Sequence, residues 1–61
     1  MIELDELERR AMFASLVEAG DRGLSEGEAR KLVGDEFAAT PRQVRGVELE
    51  GERERWPPLG D

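Results

Sequence analysis

The stretch VGDEFAATPRQVRGVE, residues 33–48, decides the fold of this chain. Its Thr-Pro-Arg-Gln segment puts a capping residue at Thr40, proline at the first helical position and Gln43 at the third, which predicts a helix start. Only Ala38 and Ala39 separate that start from the apolar pattern before it. Two helices joined so closely meet at a sharp corner and cross steeply, the arrangement of a helix-turn-helix.

A second capping signal marks the helix before the corner. Ser25 can accept a backbone hydrogen bond while Glu28, three residues on, reaches back to it. We therefore expect helices over 25–37 and 41–50. Gly34 weakens the earlier helix by about 1 kcal/mol relative to alanine, so its presence indicates a close helix crossing there.

Residues 3–19 predict the first helix. They include no glycine or proline and consist largely of good helix formers, and Gly20 is the expected stop. The second half of this helix is apolar around much of its surface, through Met12, Phe13, Leu16 and Val17. That surface looks wider than two short helices can cover, so a homodimer is one expectation.

The expected architecture is an all-α, three-helix single domain over residues 1–61 that contains a helix-turn-helix over 25–50. The tail, 51–61, should place Trp56 back on the first helix and continue as an extended Trp-Pro-Pro-Leu segment. The expected core comprises Leu7, Leu16, Leu32, Phe37, Val44, Val47 and Trp56.

The composition narrows the possible functions. The chain has no cysteine and no histidine, which leaves out disulfides, the usual zinc ligands and imidazole or thiolate catalysis. Sixty-one residues also leave little volume for a pocket, so we expect no enzyme, cofactor, metal or small-molecule substrate. The acidic N-terminus is unlike a secretory signal and no apolar run suggests a membrane span, which predicts a cytoplasmic protein.

Residues 25–50 resemble the fourth region of bacterial sigma factors and related small helix-turn-helix regulators. Residues 33–40 align with a family pattern of roughly Ile-Gly-x-Glu-Phe-Gly-Val-Thr, and residues 41–48 with a recognition helix reading Arg-x-Arg-Ile-Arg-Gln-Ile-Glu. The chain departs from the pattern at Asp35, at Ala38 in place of the turn glycine and at Gly46 within the recognition helix. The resemblance implies a transcription-related DNA-binding regulator whose contacts are Arg42, Gln43 and Arg45.

The charge favours an alternative on the same fold. The formal net charge is -6, of which -5 lies in residues 1–40 and -1 in residues 41–61. Because phosphate neutralisation supplies most of the affinity for DNA, so acidic a chain is also consistent with a protein-protein interaction module that does not bind DNA. In that case the partner-binding residues would be Phe13, Val17 and Trp56, which would contact a protein partner or a second copy.

Overall fold

The structure, a computed structural model, describes residues 4–57 and residue 59. Over these residues the chain forms three helices and no strand: α1 (Glu6–Asp21), α2 (Glu26–Phe37) and α3 (Pro41–Glu54). Each helix contacts both of the others. The expectation of an all-α, three-helix chain is therefore confirmed.

Helix α1 is shifted along the chain relative to its predicted span of 3–19. It begins after Asp5, whose side chain accepts a hydrogen bond from the backbone N–H of Glu8 at 2.7 Å. It continues through Gly20, the predicted stop, and ends where Gly23 adopts a φ of 94°. The backbone N–H of Leu24 then donates to the carbonyl of Ala19, which satisfies a carbonyl at the helix end. Glycine adopts this positive φ with the least strain, and it is Gly23, not Gly20, that adopts it after α1.

Both predicted capping boxes form. Ser25 and Thr40 each accept from the third helical residue, while the side chains of Glu28 and Gln43 accept from the backbone of the capping residue. The corner is tight as well: a Cβ on Gly34 would lie 3.1 Å from the carbonyl oxygen of Ala39. The close approach predicted from the glycine inside this helix is therefore confirmed.

Ala38 turns the chain between α2 and α3. It has a φ of 55° and a ψ of 40°, the left-handed conformation that usually favours glycine. This geometry lets the N–H of Ala39 reach the carbonyl of Gly34 at 2.9 Å. The alanine therefore holds a conformation that glycine would adopt with less strain.

Helix α3 extends four residues beyond its predicted end at residue 50, and Gly51 is both helical and buried. The ring of Phe13 occupies the space that a side chain at position 51 would need. The helix ends at Glu54, the capping residue Arg55 adopts a φ of 54°, and the N–H of Trp56 donates to the carbonyl of Gly51. Burial against Phe13 explains why this glycine lies inside a helix and does not interrupt it.

The core differs in part from the predicted one. Its buried residues are Met12, Phe13, Leu16, Ala19, Ala29, Val33, Val44, Val47 and Trp56. Leu7 is 80% exposed and Leu32 is 47% exposed, so both were wrongly assigned to the core, while Phe37 is only partly buried. At about 100° per residue, Leu7 and Leu16 lie on opposite sides of one helix and cannot share a core.

The apolar surface of α1 is covered within one chain. Phe13 is 2% exposed, and Trp56 packs edge-on against it with ring centroids 6.2 Å apart. The Arg10 guanidinium lies 5.1 Å from the centre of the Trp56 ring. The expectation that Trp56 folds back on the first helix is confirmed, and the surface that suggested a homodimer needs no second copy to cover it.

The C-terminal segment turns after Trp56. The N–H of Leu59 donates to the Trp56 carbonyl at 2.9 Å, which is a turn and not the extended segment that was predicted. Pro58, in the middle of that prediction, lies outside the described residues, as do residues 1–3, 60 and 61.

Candidate nucleic-acid interface

One side of α3 faces solvent along its whole length. Its exposed residues include Arg42, Arg45, Gly46, Leu49 and Arg53, which we call the outer face of α3. At about 100° per residue, four of these five positions lie within roughly 40° of one direction, and Arg45 lies about 60° away. The opposite side carries Val44, Val47 and Gly51, which are buried.

The glutamates of α3 start from positions away from the centre of this face, but two of their carboxylates reach arginines on it: Glu48 pairs with Arg45 at 2.7 Å and Glu54 with Arg53 at 3.3 Å. By the same helical spacing, Glu50 and Glu52 lie about 80° from its centre, and Glu48 and Glu54 about 120°. Glu50 is held by Arg9 of α1 at 3.0 Å, and Glu48 by Arg30 of α2 at 3.1 Å. Ion pairs with the other two helices therefore hold two of these carboxylates at the sides of α3.

Arg45 is tied to Glu48. Its guanidinium donates to Oε1 of Glu48 at 2.7 Å, and the same oxygen accepts from Arg30. The Glu48 side chain is only 14% exposed. Desolvation acts to raise the pKa of this carboxyl, but the hydrogen bonds and positive charges of Arg45 and Arg30 outweigh it and hold the pKa below its usual value.

Arg42 and Gln43, the other two predicted contacts, are placed differently. Arg42 is exposed in the first turn of α3 and forms an ion pair with none of the carboxylates that the structure describes. The Gln43 side chain accepts from the backbone N–H of Thr40 at 2.9 Å, so its amide oxygen serves the helix cap. Of the three predicted contacts, only Arg42 thus presents a charge without an ion pair among the described residues.

The three predicted partner-binding residues belong to the interior rather than to an exposed patch. Phe13 and Trp56 are buried against each other, and Val17 is partly buried beside the core. In this packing little of either side chain is exposed, 2% of Phe13 and 5% of Trp56. Contact between a partner and these residues stays a prediction.

No model of a known family, no curated protein and no solved structure matches this chain. None of the described helices has the length and apolar character needed to cross a membrane. Among the same residues, no group of three or more acidic side chains is placed to hold a metal ion.

Sequence reasoning did not place Leu49 on the outer face, although it is 50% exposed. Arg53 was expected in the tail, 51–61, and it lies within α3. The helical period that starts at Val44 and Val47 continues to position 51, which would have indicated the longer helix. If the helix is extended to this position, Leu49 and Arg53 lie on the side away from Val47.

Proposed function

We propose that this chain is a small helix-turn-helix DNA-binding module, related in role to transcription regulators, and that the outer face of α3 contacts the major groove. The observation that carries this proposal is the segregation of charge on α3. Its outer face presents Arg42, Arg45 and Arg53, of which Arg45 pairs with Glu48 and Arg53 with Glu54. Glu48 and Glu50 are also engaged at the sides by arginines of the other helices. A recognition helix needs such a basic face, because neutralised phosphates supply most of the affinity.

The corner before α3 supports the same proposal. Three residues connect α2 to α3, and Thr40 and Pro41 fix where the exposed helix begins. In helix-turn-helix proteins the N-terminal part of the second helix contacts base edges, and Arg42 occupies that part of α3. The partial positive charge at a helix N-terminus adds attraction for phosphate.

The second candidate is the protein-protein interaction module. It is favoured by the net charge of -6, which repels DNA over long distances, and by the ion pair that occupies Arg45. In this case the outer face of α3, with Leu49 exposed between arginines, would contact a protein.

A salt-dependent binding titration separates the two candidates. Fluorescently labelled duplex DNA is titrated with the full chain, whose helical content is checked by circular dichroism under the same conditions. The DNA-binding proposal expects binding at low salt, with an affinity that falls steeply as salt rises. No binding by the folded chain at protein concentrations on the order of tens of micromolar contradicts it and favours a protein partner.

The variant Arg45→Ala tests the face itself. We expect it to weaken binding by about 1–3 kcal/mol if Arg45 contacts a guanine edge, or to lower the salt slope by about one if it contacts phosphate. Arg22→Ala is the control for net charge, because Arg22 is also an exposed arginine in an ion pair, with Glu18 of α1 and away from α3. If both variants weaken DNA binding equally, only the net charge of the chain affects binding, and this contradicts the assignment of the outer face of α3 as the contact surface.

A further inference from the structure

The middle of the outer face is apolar. Gly46 and Leu49 are neighbours on the helix surface, since residues three apart face the same way. Arg42 lies one turn before Gly46, and Arg53 lies one turn after Leu49, so arginines border the pair at both ends. We call Gly46 and Leu49 the apolar notch of α3.

The notch is open. Apart from its chain neighbours and the nearby backbone of α3, a Cβ built on Gly46 would meet no atom within 4 Å, and Leu49 is 50% exposed. A ligand can therefore approach the backbone of α3 at Gly46 and touch the Leu49 side chain at the same time. The bordering arginines favour an anionic ligand. Arg42 has no ion pair among the described residues, whereas a ligand would compete for Arg53 with Glu54, 3.3 Å away. By helical spacing the glutamates of α3 lie about 80° or more from the centre of the face.

Major-groove base edges present one apolar group, the 5-methyl of thymine. Against a purine edge, Leu49 would cover a hydrogen-bonding atom and leave it without a partner, which disfavours binding. Cytosine offers only a C5–H where thymine has the methyl group. From this geometry we infer, building on the proposed function, that the apolar notch selects duplex DNA with a thymine methyl at the position facing Gly46 and Leu49. Arg42 begins about 6 Å before Gly46 along the helix axis, which places its contact within about two base-pair steps of that thymine.

The test compares duplexes that differ only in this methyl group. The first pair has alternating guanine and thymine on one strand, with or without deoxyuridine in place of every thymine. The second pair is an alternating guanine-cytosine duplex, with or without 5-methylcytosine, which carries a methyl at the same ring position. We expect the full chain to lose about fourfold in affinity when thymine becomes uracil, the change expected from one buried methyl-sized group, and to gain affinity when cytosine is methylated.

Two leucine variants assign the effect to the notch. Leu49→Ala should remove the difference between thymine and uracil duplexes, whereas Leu32→Ala, at 47% exposure on α2, should keep it. Circular dichroism shows whether both variants retain their helices. A Gly46→Ala variant, which fills the notch with a methyl group, should reduce affinity for the thymine duplex to that for the uracil duplex.

The outcomes distinguish this inference from the proposed function. Binding that is equal for thymine and uracil duplexes overturns the inference and leaves DNA binding in place. Discrimination that persists in Leu49→Ala overturns it as well, because the methyl is then read elsewhere or through the shape of the DNA. If the folded chain binds none of the four duplexes, the proposed function fails, and the inference fails with it.

Discussion

Replacing Ala38 by glycine should stabilise the fold. The residue is held at a φ of 55°, and the left-handed conformation costs an L-amino acid about 1–2 kcal/mol. Its side chain is exposed, so the substitution removes no buried contact. Glycine also increases the entropy of the unfolded chain, which opposes the gain by about 0.4–1 kcal/mol. The net effect is a stabilisation of roughly 0.5–1 kcal/mol, which in a domain of this size raises the melting temperature by about 2–8 °C.

The assay is thermal unfolding followed by far-ultraviolet circular dichroism. Ala14→Gly is the matched control, because Ala14 is an exposed alanine in the interior of α1. There glycine should destabilise the fold by about 0.5–1 kcal/mol, so the same chemical change has opposite signs at the two positions. If Ala38→Gly lowers the melting temperature as Ala14→Gly does, position 38 is not left-handed in solution and the described corner is wrong.

The remaining predictions concern the core and Glu48. Gly51→Ala should destabilise the fold by about 1–3 kcal/mol, because its Cβ would overlap the Phe13 ring, whereas Gly27→Ala, with open space around it, should raise the melting temperature. Phe13→Ala should lower the free energy of unfolding by about 3–5 kcal/mol, which is close to the total stability of a small domain. Phe37→Ala should lower it clearly less, because Phe13 is buried and Phe37 only partly so. Urea unfolding of the two variants measures the difference. The pKa of Glu48 is lower in the folded chain than its usual value of 4.5, so ionised Glu48 stabilises the fold at a pH above 4.5. This stabilisation is lost as the pH falls through the lowered pKa. The melting temperature of Glu48→Gln should therefore fall less in acid than that of the unchanged chain. If the proposed function is correct, the same variant should bind duplex DNA more tightly than the unchanged chain, as measured by the same fluorescence titration, because it releases Arg45 and removes a negative charge.

Local signals in the sequence predicted both ends of α2 and the start of α3. The capping residues Ser25 and Thr40 act within four residues of chain, so their effect can be read without knowledge of the fold. The ends of α1 and α3 were wrong for a different reason. Whether a helix ends at Gly20, Gly23 or Gly51 depends on the φ angle that the glycine adopts and on the side chains that pack against it. The burial of Gly51 depends on Phe13, which is far away in sequence.

The candidate nucleic-acid interface was, like the helix boundaries, predictable only in part. The helical period places Arg42 and Arg45 outward once α3 is recognised, and both are exposed. The pairing of Glu48 with Arg30 was not predictable, because it joins two helices whose rotation about their axes the sequence leaves open. The buried side of α1 was predicted incorrectly at Leu7 for the same reason. Apolar residues lie on both sides of this helix, and only its packing against α2 and α3 determines which side is buried.

The packing of Trp56 gives the chain a built-in optical probe. It is the only tryptophan, and the chain has no tyrosine, so emission excited at long ultraviolet wavelengths arises from one indole. That indole lies against Phe13 and beneath Arg10, and Phe13 contacts the side of α3 opposite its outer face. Its emission maximum should therefore shift to longer wavelength when the C-terminal turn leaves α1, even if the helices persist, and should change little when a ligand occupies the outer face.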